Sequence, residues 1–318
     1  MKKTARLLGL LVAIAAGYYY IRQAATTWNG VDLEVLLSAK SIALTFAALV
    51  LYLAQIPITA MIWRWILADM DVRMSPRSAY AVIASTQFAK YLPGNVAQHI
   101  GRVAVARSFG GGVPTLTLSL IYENVIALLA AIHITMVFLA SRSSSGLERW
   151  LPMRSISLVV IAASAAAVLA FLLLPRLAEY LQRKRMPDAG DGNEFNLSLG
   201  RLLLAYGVFI ASFLSLGLAF TLLVHAVAPA NGFSFLPLCG AFAAAWVVGL
   251  LVPGAPAGLG VREGILVVLL SGIVTGAAGV TVIALLRVVT TLGDLLHFVL
   301  GTWLLRGTAA TPPQAREA

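Results

Sequence analysis

Residues 202–228 contain no Asp, Glu, Lys or Arg. As a helix, that run reaches about 40 Å at 1.5 Å per residue, longer than the roughly 30 Å hydrocarbon core of a bilayer. A segment of this kind has few places to go except across a membrane. Five further apolar runs read as spans, at about 7–21, 41–68, 113–140, 156–174 and 279–305. Every backbone polar group in lipid must be satisfied internally, so only helices or closed barrels cross. The runs are continuous rather than alternating, which excludes a barrel. Composition agrees: 60% of the 318 residues are hydrophobic and 11% are charged, against about 25% charged in a soluble protein. The expected fold is an all-α polytopic membrane protein, one integral domain over 1–318 with about six transmembrane helices.

The start, "MKKTARLLGLLVAIAAG", has the basic, apolar and small-residue order of a signal peptide. The apolar run passes through Tyr18–Ile21 without a clear cleavage site, so it reads as an uncleaved first span. The net charge of +10 does not point to nucleic acid, because Lys and Arg gather in cytoplasmic loops and near anionic lipid. Lys2, Lys3 and Arg6, then Arg73 and Arg77, then Arg183, Lys184 and Arg185 in the 175–201 linker set the orientation. They place both termini on the cytoplasmic side of a cytoplasmic (inner) membrane. Arg142, Arg149 and Arg154 argue the other way but are outweighed. The single Cys239 allows no internal disulfide, and the four histidines lack metal-ligand spacing. No metal and no cofactor are expected.

Two stretches, 78–108 and 234–275, are apolar but broken by Pro-Gly. The first contains "KYLPGNVAQHIGR" and the second "LVPGAPAGLGVRE". With Pro93-Gly94 set against Pro253-Gly254, Arg102 falls on Arg262, nine residues after each proline. An internal proline removes a hydrogen bond and clashes with the preceding turn, so each stretch should be two half-helices joined by an elbow. Irregular backbone at membrane depth is tolerated only when it is buried in protein or lines a wet cavity. If each stretch is a re-entrant hairpin, three spans separate them and they enter from opposite sides. The halves, about 41–140 and 202–305, then form an inverted repeat, as in many secondary transporters. The alternative is that each Pro-Gly ends a span at a surface loop.

A half-helix after an elbow presents free N–H groups and a positive dipole end, a natural phosphate site. Arg102 and Arg262 could grip a phosphate bidentately, or snorkel to headgroups. Glu123 and Asn124 interrupt the third span, and an intramembrane carboxylate is a functional candidate by default. Arg102 is the plausible partner of Glu123. In the last span Arg287, Thr290, Thr291, Asp294 and His297 share one helix face. They form either a buried ion pair with Glu263 or Glu123, or a polar path for a headgroup or proton. Gln55 and Pro57 predict a kinked second span. Trp63 and Trp65, flanking Arg64, read as an interfacial anchor. No GxSxG, HExxH or P-loop occurs, so an enzyme is not expected.

"YLPGNVAQHIGR" followed by "VPGAPAGLGVREG" resembles the flippase-like membrane family related to the transmembrane region of lysylphosphatidylglycerol synthases, over about 40–305. In its bifunctional members, the membrane region is thought to move an aminoacylated phospholipid between leaflets, while a soluble domain attaches the amino acid. A chain ending at 318 has no room for that domain, so synthase activity is not implied. The resemblance carries over Pro93, Gly94, Gly101 and Arg102, with Pro253, Gly254, Gly258, Gly260, Arg262 and Glu263. With Asn95, Gln98, His99, Glu123, Asn124, Arg287 and Asp294, these are the expected headgroup-binding residues. The expected function is translocation of an anionic lipid: a phospholipid, a polyprenyl-phosphate or a hopanoid-type lipid. A membrane-embedded headgroup transferase, or a non-catalytic subunit serving a lipid-synthesising enzyme, is the alternative. The sequence does not fix the oligomeric state.

Overall fold

A computed structural model describes residues 33–92, 96–141, 198–228, 235–252, 255–271, 273–274 and 276–309, with scattered positions in 14–26 and 158–176. The expected spans at 7–21 and 156–174 therefore fall largely outside the described residues, as does most of the 175–201 linker. Every element among the described residues is helical.

After a short helix, Leu33–Leu37, comes α1 (Ala39–Leu53) and directly α2 (Gln55–Asp69). Together they form one continuous apolar length long enough to cross a membrane. Ser38 caps α1, its side chain accepting a hydrogen bond from the Ser41 amide. The interruption between α1 and α2 falls at Ala54, beside Gln55 and Pro57, and Ala54 itself keeps helical φ and ψ. Pro57 cannot donate to the carbonyl four residues back, and the Gln55 side chain donates to the Leu51 carbonyl at 2.8 Å.

The first broken stretch is α3 (Pro76–Thr86), a 3-10 turn at Gln87–Tyr91, then α4 (Ala97–Ala106). Ser75 caps α3 and Pro76 opens it. The second is α7 (Phe235–Leu251), a 3-10 turn at Pro256–Gly258, then α8 (Val261–Leu270). Neither α4 nor α8 is long enough to cross a bilayer at 1.5 Å per residue. Helix breaks thus occur where the two Pro-Gly pairs predict them. Three long helices complete the set: α5 (Val113–Ser141), α6 (Leu199–Val227) and α9 (Gly276–Ala309). Each contains a candidate membrane span.

The packing is reciprocal. α3 lies against α9, and α7 lies against α5, so the leading arm of each broken stretch packs on the long helix of the other half. The trailing arms stay home: α4 packs on α5, and α8 on α9. α1 and α6 pack against each other. Lipid tails are as apolar as leucine, so close contact between helices in a membrane depends on small residues. Both crossings use one. A Cβ on Gly240 would lie 1.9 Å from the Phe138 Cβ, and one on Gly301 would lie 2.5 Å from the Ser85 amide nitrogen. The two 3-10 turns also touch each other, bringing both elbows to one place.

Candidate functional site

The elbows meet beside a cavity of about 250 Å3. That is far more than the roughly 10–15 Å3 that a single water requires. Its lining includes three cations, Lys90, Arg262 and Arg287, and two carboxylates, Glu263 and Asp294. One positive charge is in surplus.

Asp294, on α9, is completely buried. Four side chains donate to its carboxylate. Lys90 Nζ lies 2.7 Å from Oδ2, and the Tyr91 hydroxyl is 2.6 Å from the same oxygen. The Tyr52 hydroxyl is 2.7 Å from Oδ1, and Gln87 Nε2 is 3.2 Å from it. A carboxylate offers about four lone-pair sites, so Asp294 is saturated. Gln87, Lys90 and Tyr91 all come from the turn before Pro93. A 3-10 turn advances about 2.0 Å per residue with three residues per turn, which aligns Gln87 and Lys90 on one side. Tyr52 approaches because Gly293 leaves space; a Cβ there would sit 2.4 Å from the Tyr52 ring.

Arg262 stands apart. Its stem threads between two glycines: a Cβ on Gly249 would lie 2.5 Å from Arg262 Cγ, and one on Gly258 would lie 2.7 Å from its Nε. Gly258 has φ +69 and Gly260 φ +79, conformations that suit glycine and strain other residues. The guanidinium carbon lies 6.0 Å from the Trp246 ring centroid, at the outer limit of a cation–π contact. Arg262 Nε is buried without a hydrogen-bond partner, and no carboxylate pairs with the guanidinium among the described residues. Next to it, Glu263 pairs with Arg287 through Oε1, while Glu263 Oε2 and Arg287 Nη2 are buried and unpartnered.

Arg102 does not line this cavity. It forms a two-pronged ion pair with Glu123: Nη1 to Oε1 at 2.9 Å and Nη2 to Oε2 at 2.6 Å. Both residues are 5% exposed. The guanidinium carbon lies 4.6 Å from the centroid of the Trp63 ring, whose Nε1 donates to Ser119 Oγ at 2.9 Å. Trp63 is fully buried, which corrects its reading as an interfacial anchor. It faces inward because the arginine stacked on it and Ser119 together satisfy its face and its N–H. Gly101 lets α4 close on α3, with Thr86 Cγ2 3.2 Å from where a Cβ would stand.

Of the other expected residues, Gln98, Asn124, Arg262, Glu263, Arg287 and Asp294 line the cavity. Gln98 lies 3.3 Å from the His99 ring nitrogen, and His99 itself faces a separate groove. Gly258 shapes Arg262's cradle, and Gly260 starts α8. Pro93, Gly94, Asn95, Pro253 and Gly254 lie outside the described residues. The polar face of α9 makes three separate pairings. Arg287 takes Glu263, Asp294 takes Lys90, and His297 meets the Tyr80 hydroxyl at 2.8 Å. Sequence reasoning missed Lys90, Tyr91, Tyr52 and Gln87. The available signal was a lysine inside an apolar stretch, which is costly unless paired.

No curated protein matches the chain. A family model described as the lysylphosphatidylglycerol synthase TM region matches residues 6–297. That match spans most of the chain and both broken stretches, and the chain belongs to the lysylphosphatidylglycerol synthase transmembrane-region family.

Proposed function

We propose that this membrane protein moves an anionic, phosphate-headgroup lipid or lipid-linked precursor between leaflets of the cytoplasmic membrane. Arg262 carries the reading. It is a cation in a polar cavity at the junction of two broken helices, held by glycines and offered no carboxylate among the described residues. A phosphate supplies the acceptor oxygens that a guanidinium fork fits best. Lys90 and Arg287 add positive potential nearby. The reciprocal packing of α3 on α9 and α7 on α5 supports two inversely related halves, about 41–140 and 202–305, rocking about this site. Both termini lie on the cytoplasmic side in this scheme. Glu123, Glu263 and Asp294 each face a cation, which favours binding and passage over acid–base transfer chemistry.

The test is reconstitution into liposomes with phosphate-headgroup lipids and a leaflet-specific label. The wild-type chain is expected to exchange label between leaflets, and Arg262→Ala to lose most of that exchange. A folded protein that moves no anionic lipid would refute the proposal.

A further inference from the structure

A second, apolar opening runs along the first broken stretch, between α4 and α5, with a volume of about 670 Å3. Its walls are one face of each helix. Ile100 and Val103 lie three residues apart on α4 with Arg107 just beyond its end, and Thr117, Ile121 and Leu128 repeat at multiples of a turn on α5. Ile100 is 65% exposed and Ile121 51%, so the groove opens sideways. Two features distinguish it from ordinary lipid-facing surface. At its inner side Asn124 and Leu250 line both the groove and the polar cavity. Towards the end of α4 the exposed Arg107 gives it a basic rim.

We infer that this groove holds one hydrocarbon chain of the same lipid whose headgroup occupies the cavity, with Asn124 and Leu250 as the sill between them. The inference rests on the headgroup reading above. Length fits. From Val113 to Leu128, α5 rises roughly 22 Å, while one leaflet's hydrocarbon is about 15 Å thick, half of the core. Chemistry fits too. A polar phosphate and an apolar tail need adjoining compartments of opposite character, and these two share a wall. The tail then stays out of water while the phosphate lies among Lys90, Arg262 and Arg287.

The experiment uses the full chain in liposomes with a phosphate-headed lipid bearing a diazirine near the tail's end. After irradiation, adducts are mapped by peptide mass spectrometry. Adducts on Ile100, Val103, Ile121 and Leu128 are expected. Ala104 lines the groove, and Ala104→Trp, which fills it, should remove these adducts and slow leaflet exchange at least tenfold. Glycerol 3-phosphate binding should survive Ala104→Trp and be lost in Arg262→Ala. Adducts confined to other surfaces, wild-type exchange by Ala104→Trp, or groove crosslinks to a second protein chain would overturn the inference. If the wild-type chain keeps the groove adducts but binds no glycerol 3-phosphate, the headgroup reading fails and joint occupancy with it. Should Ala104→Trp not fold, the wild-type adduct map decides.

Discussion

The two halves solve one problem in opposite ways. In the first, an arginine on the trailing half-helix, Arg102, pairs with a carboxylate on the long helix after it, Glu123. In the second, the trailing half-helix carries the carboxylate, Glu263, and the long helix carries the arginine, Arg287. The polarity is reversed. The first bridge engages both carboxylate oxygens and has an indole stacked on the guanidinium, leaving only Arg102 Nε buried and unpartnered. The second is open, with Glu263 Oε2 and Arg287 Nη2 unpartnered and Arg262 left over. The sequence alignment makes Arg102 and Arg262 equivalents, but their surroundings give them different work. The first braces α4 to α5, while the second has no carboxylate partner among the described residues, which is the basis for the anion site proposed above.

The comparison can be broken most forcefully at the brace. Arg102→Ala strands the buried Glu123 carboxylate, and removing one partner of a buried pair costs about 3–5 kcal/mol. A large drop in the detergent unfolding midpoint is expected, largely recovered in an Arg102→Met/Glu123→Leu double variant. A site that binds through Arg102 would instead show normal stability with lost binding. Arg262→Ala is the mirror test. Unfolding should barely change, while glycerol 3-phosphate affinity falls by roughly tenfold or more, the loss of a charged hydrogen bond worth about 1.5–3 kcal/mol. Titration calorimetry beside a melting curve separates these outcomes. Gly258→Ala should cost about 1–2 kcal/mol through its left-handed backbone. It should also weaken anion binding, since the new Cβ would displace Arg262. Trp63→Phe removes the bond to Ser119 but keeps a ring under Arg102. A loss of about 1 kcal/mol is expected, with leaflet exchange unchanged.

How far these roles could be foreseen varies by residue. The long helices and both breaks were legible because uncharged runs and Pro-Gly act locally, and length and backbone chemistry are enough to place them. Arg102 with Glu123, and Arg287 with Glu263, were readable as options because unpaired charges in hydrocarbon are costly. Lys90 was not read, because a lysine next to a tyrosine before Pro-Gly looks like a membrane-surface anchor. Its partner lies near the far end of the sequence, so the local signal gives the need for a partner but not its identity. Trp63 was misread for the same reason: Trp-Arg-Trp near the end of a span matches an interfacial pattern, while the arginine stacked on it comes from α4. The groove along α4 and α5 was not foreseen, although both of its walls have helical periodicity. That periodicity reveals a face but not the gap between two faces.

The hub around Asp294 also imposes a schedule. Tyr91 and Asp294 are 203 residues apart in the chain. At a synthesis rate of about 5–20 residues per second, the Lys90 turn emerges roughly 10–40 s before the carboxylate that neutralises it. During that interval the newborn first half has a lysine and two tyrosines with no acceptor from α9. Ribosomes stalled just before residue 294 should therefore leave the first broken stretch accessible to water-borne thiol reagents at an engineered cysteine. Release of the completed last helix should then close it.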